Sequence, residues 1–218
     1  MSVHIFTQED IDEFRRPATR VARWLLNKLV IFDGVVLRIV ETEAYGYLND
    51  RASHAYVGKK RFNATMFAPK GYLYVYKIYG IHHCMNIVCG SGEEPAAVLL
   101  RAAEVKSGVA AIEERRGKRD LGSIASGPAN LCASLGIDKD FDGLNLLGVS
   151  PVKIGFDGVL PPENCLEGKR IGLGKRAGEA ALYDWRYAVP DSSALSRKFP
   201  VSLRGNATAD SGITAESG

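Results

Sequence analysis

Long apolar runs are missing from this 218-residue chain. None approaches the roughly 20 residues needed to cross a bilayer, so no membrane partner is expected. Cysteine is scarce too. Cys84, Cys89, Cys132 and Cys165 form no CxxC pair, which removes the zinc-ribbon and dithiol readings and leaves ordinary free thiols in a reducing compartment. Charge of one sign is also lacking: 28 Lys and Arg against 25 Asp and Glu leave a net charge of +3, too small alone to demand a polyanionic partner. The opening MSVHIFTQEDIDEF has neither a basic start nor an apolar core ending in small residues, so export is not expected and a cytoplasmic location is. The sequence contains no GxxxxGK[ST], GxSxG or HExxH, and the common NTPase, serine-hydrolase and metalloprotease chemistries drop out with them. Gly172-Leu173-Gly174 with Gly178 is spaced GxGxxxG outside any run of βαβ units, so it does not read as a dinucleotide loop.

A hydrophobic content of 46% over this length supports one large core, and residues 1–200 are expected to form a single domain. The stretch 201–218, small and polar, is expected to be disordered. Basic residues gather at Arg15, Arg16 and Arg20, at Lys59, Lys60 and Arg61, at Arg115, Arg116, Lys118 and Arg119, and at Lys169, Arg170, Lys175 and Arg176. Four clusters could make one face over a nucleic-acid backbone, or four solvated helix ends and loops.

Along the chain, Thr7 followed by Gln8, Glu9 and Asp10 predicts a capped helix over 11–16, which Pro17 interrupts before a second helix over 18–28. Asp33-Gly34 between apolar strands predicts a hairpin over 30–43. The stretch 46–69 lacks periodicity and reads as a long surface loop. A second hairpin is expected over 71–88, turning at Tyr79-Gly80-Ile81 and leaving Tyr79 and Ile81 exposed at its tip. Strand 96–105 contains Arg101, a charge in an otherwise apolar segment that must find a partner. Helices are expected over 107–116 and 128–135, with a basic loop between and Gly136 as the final stop, then strands over 152–156, 170–173 and 185–189.

The centre of the chain is Val40 to Tyr79. In a strand, alternation puts Glu41, Glu43 and Tyr45 on one face. In the next hairpin it puts Tyr72, Tyr74, Tyr76 and Ile78 on one side and Leu73, Val75, Lys77 and Tyr79 on the other, so Tyr76 and Tyr79 are expected to serve different surfaces. Glu41, Glu43, Asp50 and His54 could together bind a metal, as in a nuclease, although their spacing fits no established ligand pattern. His82 and His83, adjacent in a strand, point apart and cannot chelate as a pair. The tyrosines could be plain cross-strand packing. Beside carboxylates, a buried arginine and basic loops, they also fit a pocket for an extruded nucleobase, where stacking holds the base and a carboxylate activates water.

With those residues in view, the chain resembles the alkyladenine (3-methyladenine) DNA glycosylase family of monofunctional base-excision enzymes. The resemblance is carried by RIVETEAY at 38–45, ASHAY at 52–56, MF at 66–67, LYVYKIYGIHHCMN at 73–86, VLLRA at 98–102, SGPANLC at 126–132 and RIGLGKRAGEA at 170–180. It implies a mixed α/β (α+β) domain with a curved antiparallel sheet flanked by helices and a DNA-inserting hairpin. The implied partner is duplex DNA containing damaged purines, met through the minor groove by a monomer associated with the nucleoid, with no cofactor and no metal. Parity leaves Glu41 and Glu43 equivalent; the resemblance selects Glu43 as the catalytic carboxylate, a general base, and Arg101 as the residue helping to hold its water. It implies Tyr45, His54 and Tyr76 as pocket walls, Asn86 as the group that crowds out guanine, and Tyr79, with Ile81 beside it, as the intercalating tip. The expected substrates are 3-methyladenine, 7-methylguanine, hypoxanthine and ethenoadenine type lesions, released without strand cutting because no recognised lyase lysine is in place. The loop after Tyr45 reads GYLND, Phe62 stands before Asn63, His82 flanks the tip and Asn130 replaces a frequent lysine. A binding module without turnover is the remaining reading from another class.

Overall fold

The computed structural model describes residues 2–200; the expectation for 201–218 lies outside them. Thr7 caps the first turn as expected, its hydroxyl accepting from the Glu9 amide at 3.3 Å while Asp10 accepts from the Thr7 amide at 2.8 Å. A 3-10 turn over Gln8–Asp10 leads into helix α1, Ile11–Phe14. Helix α2, Ala18–Trp24, stops short of the expected residue 28. Asn27 takes a left-handed conformation at φ 65°, which ends the helical run, and Leu29 already belongs to a strand.

The nine-stranded sheet of the described residues is antiparallel and not closed, in the order β1-β7-β2-β3-β6-β5-β4, with β9 and then β8 added beside β3. The strands are β1 His4–Ile5, β2 Leu29–Phe32, β3 Val35–Tyr45, β4 Leu73–Ile78, β5 His82–Cys89, β6 Ala96–Ser107, β7 Lys153–Phe156, β8 Leu166–Gly168 and β9 Arg186–Ala188. Asp33 and Gly34 join β2 to β3 with φ of 48° and 75°. Two positive φ values are the signature of a type I′ turn, whose twist suits a hairpin. Helices α2 and α4, Pro128–Leu135, cover one face of the sheet, with α3, Val109–Arg116, packed beside α4. Leu25, Leu37, Ile39, Ile87, Leu100 and Leu131 are among the buried side chains between them. The expected mixed α/β class with helices flanking an antiparallel sheet is what is found.

Two expected elements differ. Residues 170–173 form no strand; the strand lies earlier, at Leu166–Gly168, and Ile171 spends its amide on a side chain instead of a ladder. The stretch 46–69 is not a surface loop throughout. It contains 3-10 turns at His54–Val57 and Arg61–Phe67, and Asp50, Ser53, Asn63 and Met66 are buried. Polar side chains do what a ladder would have done: Asp50 and Ser53 accept from the Ala52 and Ala55 amides, and Asn63 donates to the His54 and Gly58 carbonyls.

One irregularity sets up everything that follows. Pairing of β3 with β6 runs Ile39 to Ala103, Glu41 to Ala102 and Thr42 to Leu100, so Val40 and Arg101 are each left over. An extra residue reverses the alternation of side chains beyond it. Before the bulges Leu37, Ile39 and Ala103 face the helix-covered core; after them it is Ala44, Val98 and Leu100. Glu41, Glu43 and Arg101 thereby emerge on the opposite face.

Candidate active site

On that opposite face the registers align a row of residues across five strands. Arg186 of β9 pairs with Glu43 of β3, Glu43 with Leu99 of β6, Leu99 with Asn86 of β5, and Asn86 with Tyr74 of β4. Tyr76 and Cys84 form the adjacent pair. A cavity of about 480 Å³ opens over the Leu99, Asn86 and Tyr74 part of this row, in the range of about 300–1,000 Å³ usual for small-molecule sites. Its walls include Tyr45, His54, Tyr74, Tyr76, Asn86, Leu99 and Arg101.

Glu43 is fully buried and lies just behind this wall. Its Oε2 accepts the Tyr45 hydroxyl at 2.8 Å. Its Oε1 accepts the Ile171 amide at 2.7 Å and lies 3.3 Å from an Arg101 NH. All three partners line the cavity. Burial pushes the Glu43 carboxyl above the usual range, and Arg101, the Ile171 amide and the Tyr45 hydroxyl pull it back. The net effect leaves Glu43 above its ordinary value, which makes its ionised form a stronger base than a solvent-exposed glutamate.

Arg101 finds the partner its sequence position demands, but the nearer one is Glu41, at 2.9 Å from Nε. Glu43 is second. Burial disfavours the Arg101 charge, and Glu43 and Glu41 together outweigh that and hold the guanidinium charged. Glu41 also accepts from Arg186 Nε at 2.7 Å, from the Ser196 amide at 2.6 Å and from the Ser196 hydroxyl at 2.7 Å. Two carboxylates and two guanidiniums thus share one buried site. Burying such charges costs several kcal/mol each before pairing returns most of it, so a network like this is a poor way merely to stabilise a fold.

The rings divide by support. Tyr45 has the Arg170 guanidinium 4.7 Å from its ring centroid, and Arg170 is clamped by Asp50 through two contacts of 2.7 Å. Burial, then Glu43, pushes the Tyr45 phenol well above its usual range, so it remains a donor. His54 shares a hydrogen bond of 2.9 Å with the Tyr74 hydroxyl and meets Tyr76 edge-on with centroids 4.7 Å apart. Burial and the nearby Arg176 lower its pKa, favouring a neutral ring. Cys84 beneath Tyr76 is pushed up to about 11 by burial and stays a thiol. Asn86 donates to the Tyr74 carbonyl at 3.0 Å, which fixes the amide in the wall.

Tyr79 and Ile81 stand at the hairpin tip, 85% and 72% exposed. Close together in one turn, they make an exposed apolar tip of the kind that suits a contact surface. The expectation that Tyr76 and Tyr79 serve different surfaces fails: both border the cavity. Tyr79 lies in the turn with φ 50°, and Gly80 with 73°, where strand alternation no longer applies.

The four residues considered as a metal set are differently engaged. Glu41 is occupied by Arg101, Arg186 and Ser196, and Asp50 by Arg170. Among the described residues no three His, Cys, Asp or Glu side chains converge. Residues missed in the sequence are Arg186, Ser196, Arg170 and the Ile171 amide. Arg170 and Arg186 each sit beside apolar neighbours, Ile171 and Trp185, the signal that flagged Arg101.

Fold and site together define a class: an antiparallel α/β enzyme whose sheet carries an aromatic cavity backed by a buried, hydrogen-bonded carboxylate. Comparison with known proteins supplies the family. The description "Methylpurine-DNA glycosylase (MPG)" matches residues 12–193. Relatives named "Putative 3-methyladenine DNA glycosylase" are 41% identical over 186 residues in Rhizobium etli, covering 85% of this chain and 87% of the relative, and 43% identical over 196 residues in Burkholderia cenocepacia, covering 86% and 90%. The chain belongs to the methylpurine-DNA glycosylase family, hydrolases of DNA repair. No helix of the described residues is long and apolar enough to cross a membrane.

Proposed function

We propose that this protein takes alkylated or deaminated purines of the 3-methyladenine, 7-methylguanine, hypoxanthine and ethenoadenine type out of duplex DNA and hydrolyses their N-glycosidic bonds with a water activated by Glu43. The observation that carries this reading is the seating of Glu43, buried behind the cavity and held, among the described residues, by groups that line it.

The extruded base enters the cavity between Tyr45, His54 and Tyr76, where π faces favour purines that alkylation has made cationic. Asn86, fixed by Tyr74, crowds the exocyclic amine of guanine. Tyr79, with Ile81 beside it, enters the duplex from the minor groove and fills the gap the base leaves. Water then attacks the sugar C1′, its proton passes to Glu43, and the glycosidic electron pair leaves with the purine nitrogen, giving free base and an abasic site. Among the described residues Oε2 of Glu43 accepts only the Tyr45 hydroxyl, which leaves it capacity for that proton. Arg101 holds Glu43 and the water in register. In this reading the base is released by hydrolysis without strand cutting. The protein acts as a monomer on DNA, in a nucleoid-associated cytoplasmic setting, and residues 1–200 work as one unit.

Incubation with a hypoxanthine or 3-methyladenine duplex in chelator, then alkali, tests this. Alkali-dependent cleavage of the lesion strand is expected. Strand breaks that need magnesium and no alkali would return the metal-nuclease reading.

A further inference from the structure

Glu41 is the one carboxylate of this buried cluster that the proposed chemistry does not use. It is also the most heavily bonded, with its four donors from three separate places: Arg101 on β6, Arg186 on β9 and Ser196 in the segment after β9. Ser196 closes a ring, since its hydroxyl accepts from an Arg101 NH at 3.0 Å while donating to Glu41 at 2.7 Å. That segment is anchored by its own packing. Ala194 is buried against Val40 and Ala102, the neighbours of Glu41 and Arg101 at the two bulges, and Phe199 is buried against Leu166 and Ala188.

We propose that Glu41 and Ser196 form a clamp that positions Arg101 for the reaction, so that its remaining NH faces Glu43 and the cavity. This rests on the Glu43 reading above. Arg101 has two carboxylates within reach, and the clamp decides which edge of the guanidinium each receives. Nε and one NH go to Glu41 and Ser196; the other NH is left for Glu43 at 3.3 Å. Without the clamp, Arg101 is free to pair bidentately with Glu43, the geometry a guanidinium and carboxylate prefer. A bidentate pair would occupy the oxygens that must accept a proton from water.

Charge supplies a second handle. The groups facing Glu43 are Glu41 and Tyr45 from its own strand, Arg101 from β6, Arg186 from β9, Tyr76 from β4 and Cys84 from β5. Among them Glu41 is the anion, and its charge disfavours the ionised form of Glu43. Neutralising Glu41 therefore makes Glu43 a weaker base that stays ionised to lower pH.

The test compares wild type, Glu41→Gln, Ser196→Ala and Glu43→Gln by single-turnover excision of hypoxanthine across pH, with binding of the lesion duplex measured alongside. Glu41→Gln is expected to lower the plateau rate about tenfold or more, the scale of a misplaced catalytic group, to move the acid limb to lower pH, and to leave duplex binding within about twofold. Ser196→Ala keeps the test decisive should Glu41→Gln fail to fold: it is expected to lower the plateau several-fold at unchanged binding, while Ser196→Thr restores it. Unchanged rates and acid limbs in the Glu41 and Ser196 variants, or rate losses matched by equal losses of binding and thermal stability, overturn the clamp. If Glu43→Gln excises like wild type, the underlying glycosylase reading has failed instead.

Discussion

Arg186 stands directly opposite Glu43 in the β3–β9 register, yet its Nε reaches diagonally to Glu41 at 2.7 Å. The consequence is a division of labour. Glu41 collects the structural hydrogen bonds of the cluster, and the polar partners of Glu43 among the described residues all border the cavity. Two glutamates two residues apart on one strand face thereby acquire different chemistry, as burial alone could not have arranged, since both are fully buried.

Tyr45 is expected to act through its hydroxyl as well as its ring. In Tyr45→Phe the stacking face stays and the donor to Glu43 Oε2 goes. Loss of a donor to the charged form raises the Glu43 pKa further, so the acid limb of single-turnover excision moves to higher pH, opposite in direction to Glu41→Gln. The stability cost is about 1.5–3 kcal/mol, that of one hydrogen bond to a charged group. A pH–rate profile identical to wild type would show that the hydroxyl does not influence the base.

Tyr79→Ala is expected to slow capture of the extruded base without weakening the fold. At 85% exposed, Tyr79 contributes little packing, so the stability change falls within about 0.5 kcal/mol. Single-turnover excision should drop several-fold with the melting temperature unmoved. A marked loss of melting temperature would make the ring a packing element instead.

Asp50→Asn is expected to damage the fold, in contrast to Tyr45→Phe and Tyr79→Ala. It strands Arg170, which is wholly buried between the Tyr45 and Trp185 rings. Removing one partner of a buried pair costs about 3–5 kcal/mol, readable as a lower denaturation midpoint in urea. Unchanged stability would mean that the pair is not required.

Lys28 gives a pH dependence of stability unconnected with catalysis. Nearly inaccessible, its ammonium lies 4.5 Å from the Phe156 ring centroid and 5.1 Å from that of Trp24, and burial lowers its pKa to about 8. Between about pH 8 and the ordinary lysine value of 10.5 the unfolded chain binds the extra proton, so the Lys28 contribution to stability rises with pH across that window. The difference in unfolding free energy between wild type and Lys28→Met should shift in favour of wild type from pH 8 to 10. A constant difference would contradict the assignment.

Local signals in the sequence located most of the frame. Asp33-Gly34 marked its hairpin because both positions need positive φ, and Pro128 with Gly136 bracketed α4 because one suits a helix start and the other a left-handed stop. Arg101 advertised itself as a charge in an apolar strand. Parity grouped Glu41, Glu43 and Tyr45 correctly, but did not reveal that two bulges turn this face away from the core, because a bulge depends on the partner strand. Arg186 and Ser196 were invisible for a similar reason: their roles exist only once β9 and the segment beyond it pack against β3, about 145 and 155 residues away in sequence. The strand expected at 170–173 failed because Ile171 and Arg170 are recruited by Glu43 and Asp50, a tertiary demand that overrides strand propensity.

The most direct test is single-turnover excision of hypoxanthine by Glu43→Gln, with lesion-duplex binding measured on the same preparation. The variant is nearly isosteric and can still accept from Ile171. Binding should persist within a few-fold while excision falls by at least ~10²-fold, the scale of a lost general base. Excision at the wild-type rate would contradict the assignment of Glu43 as the group that activates water.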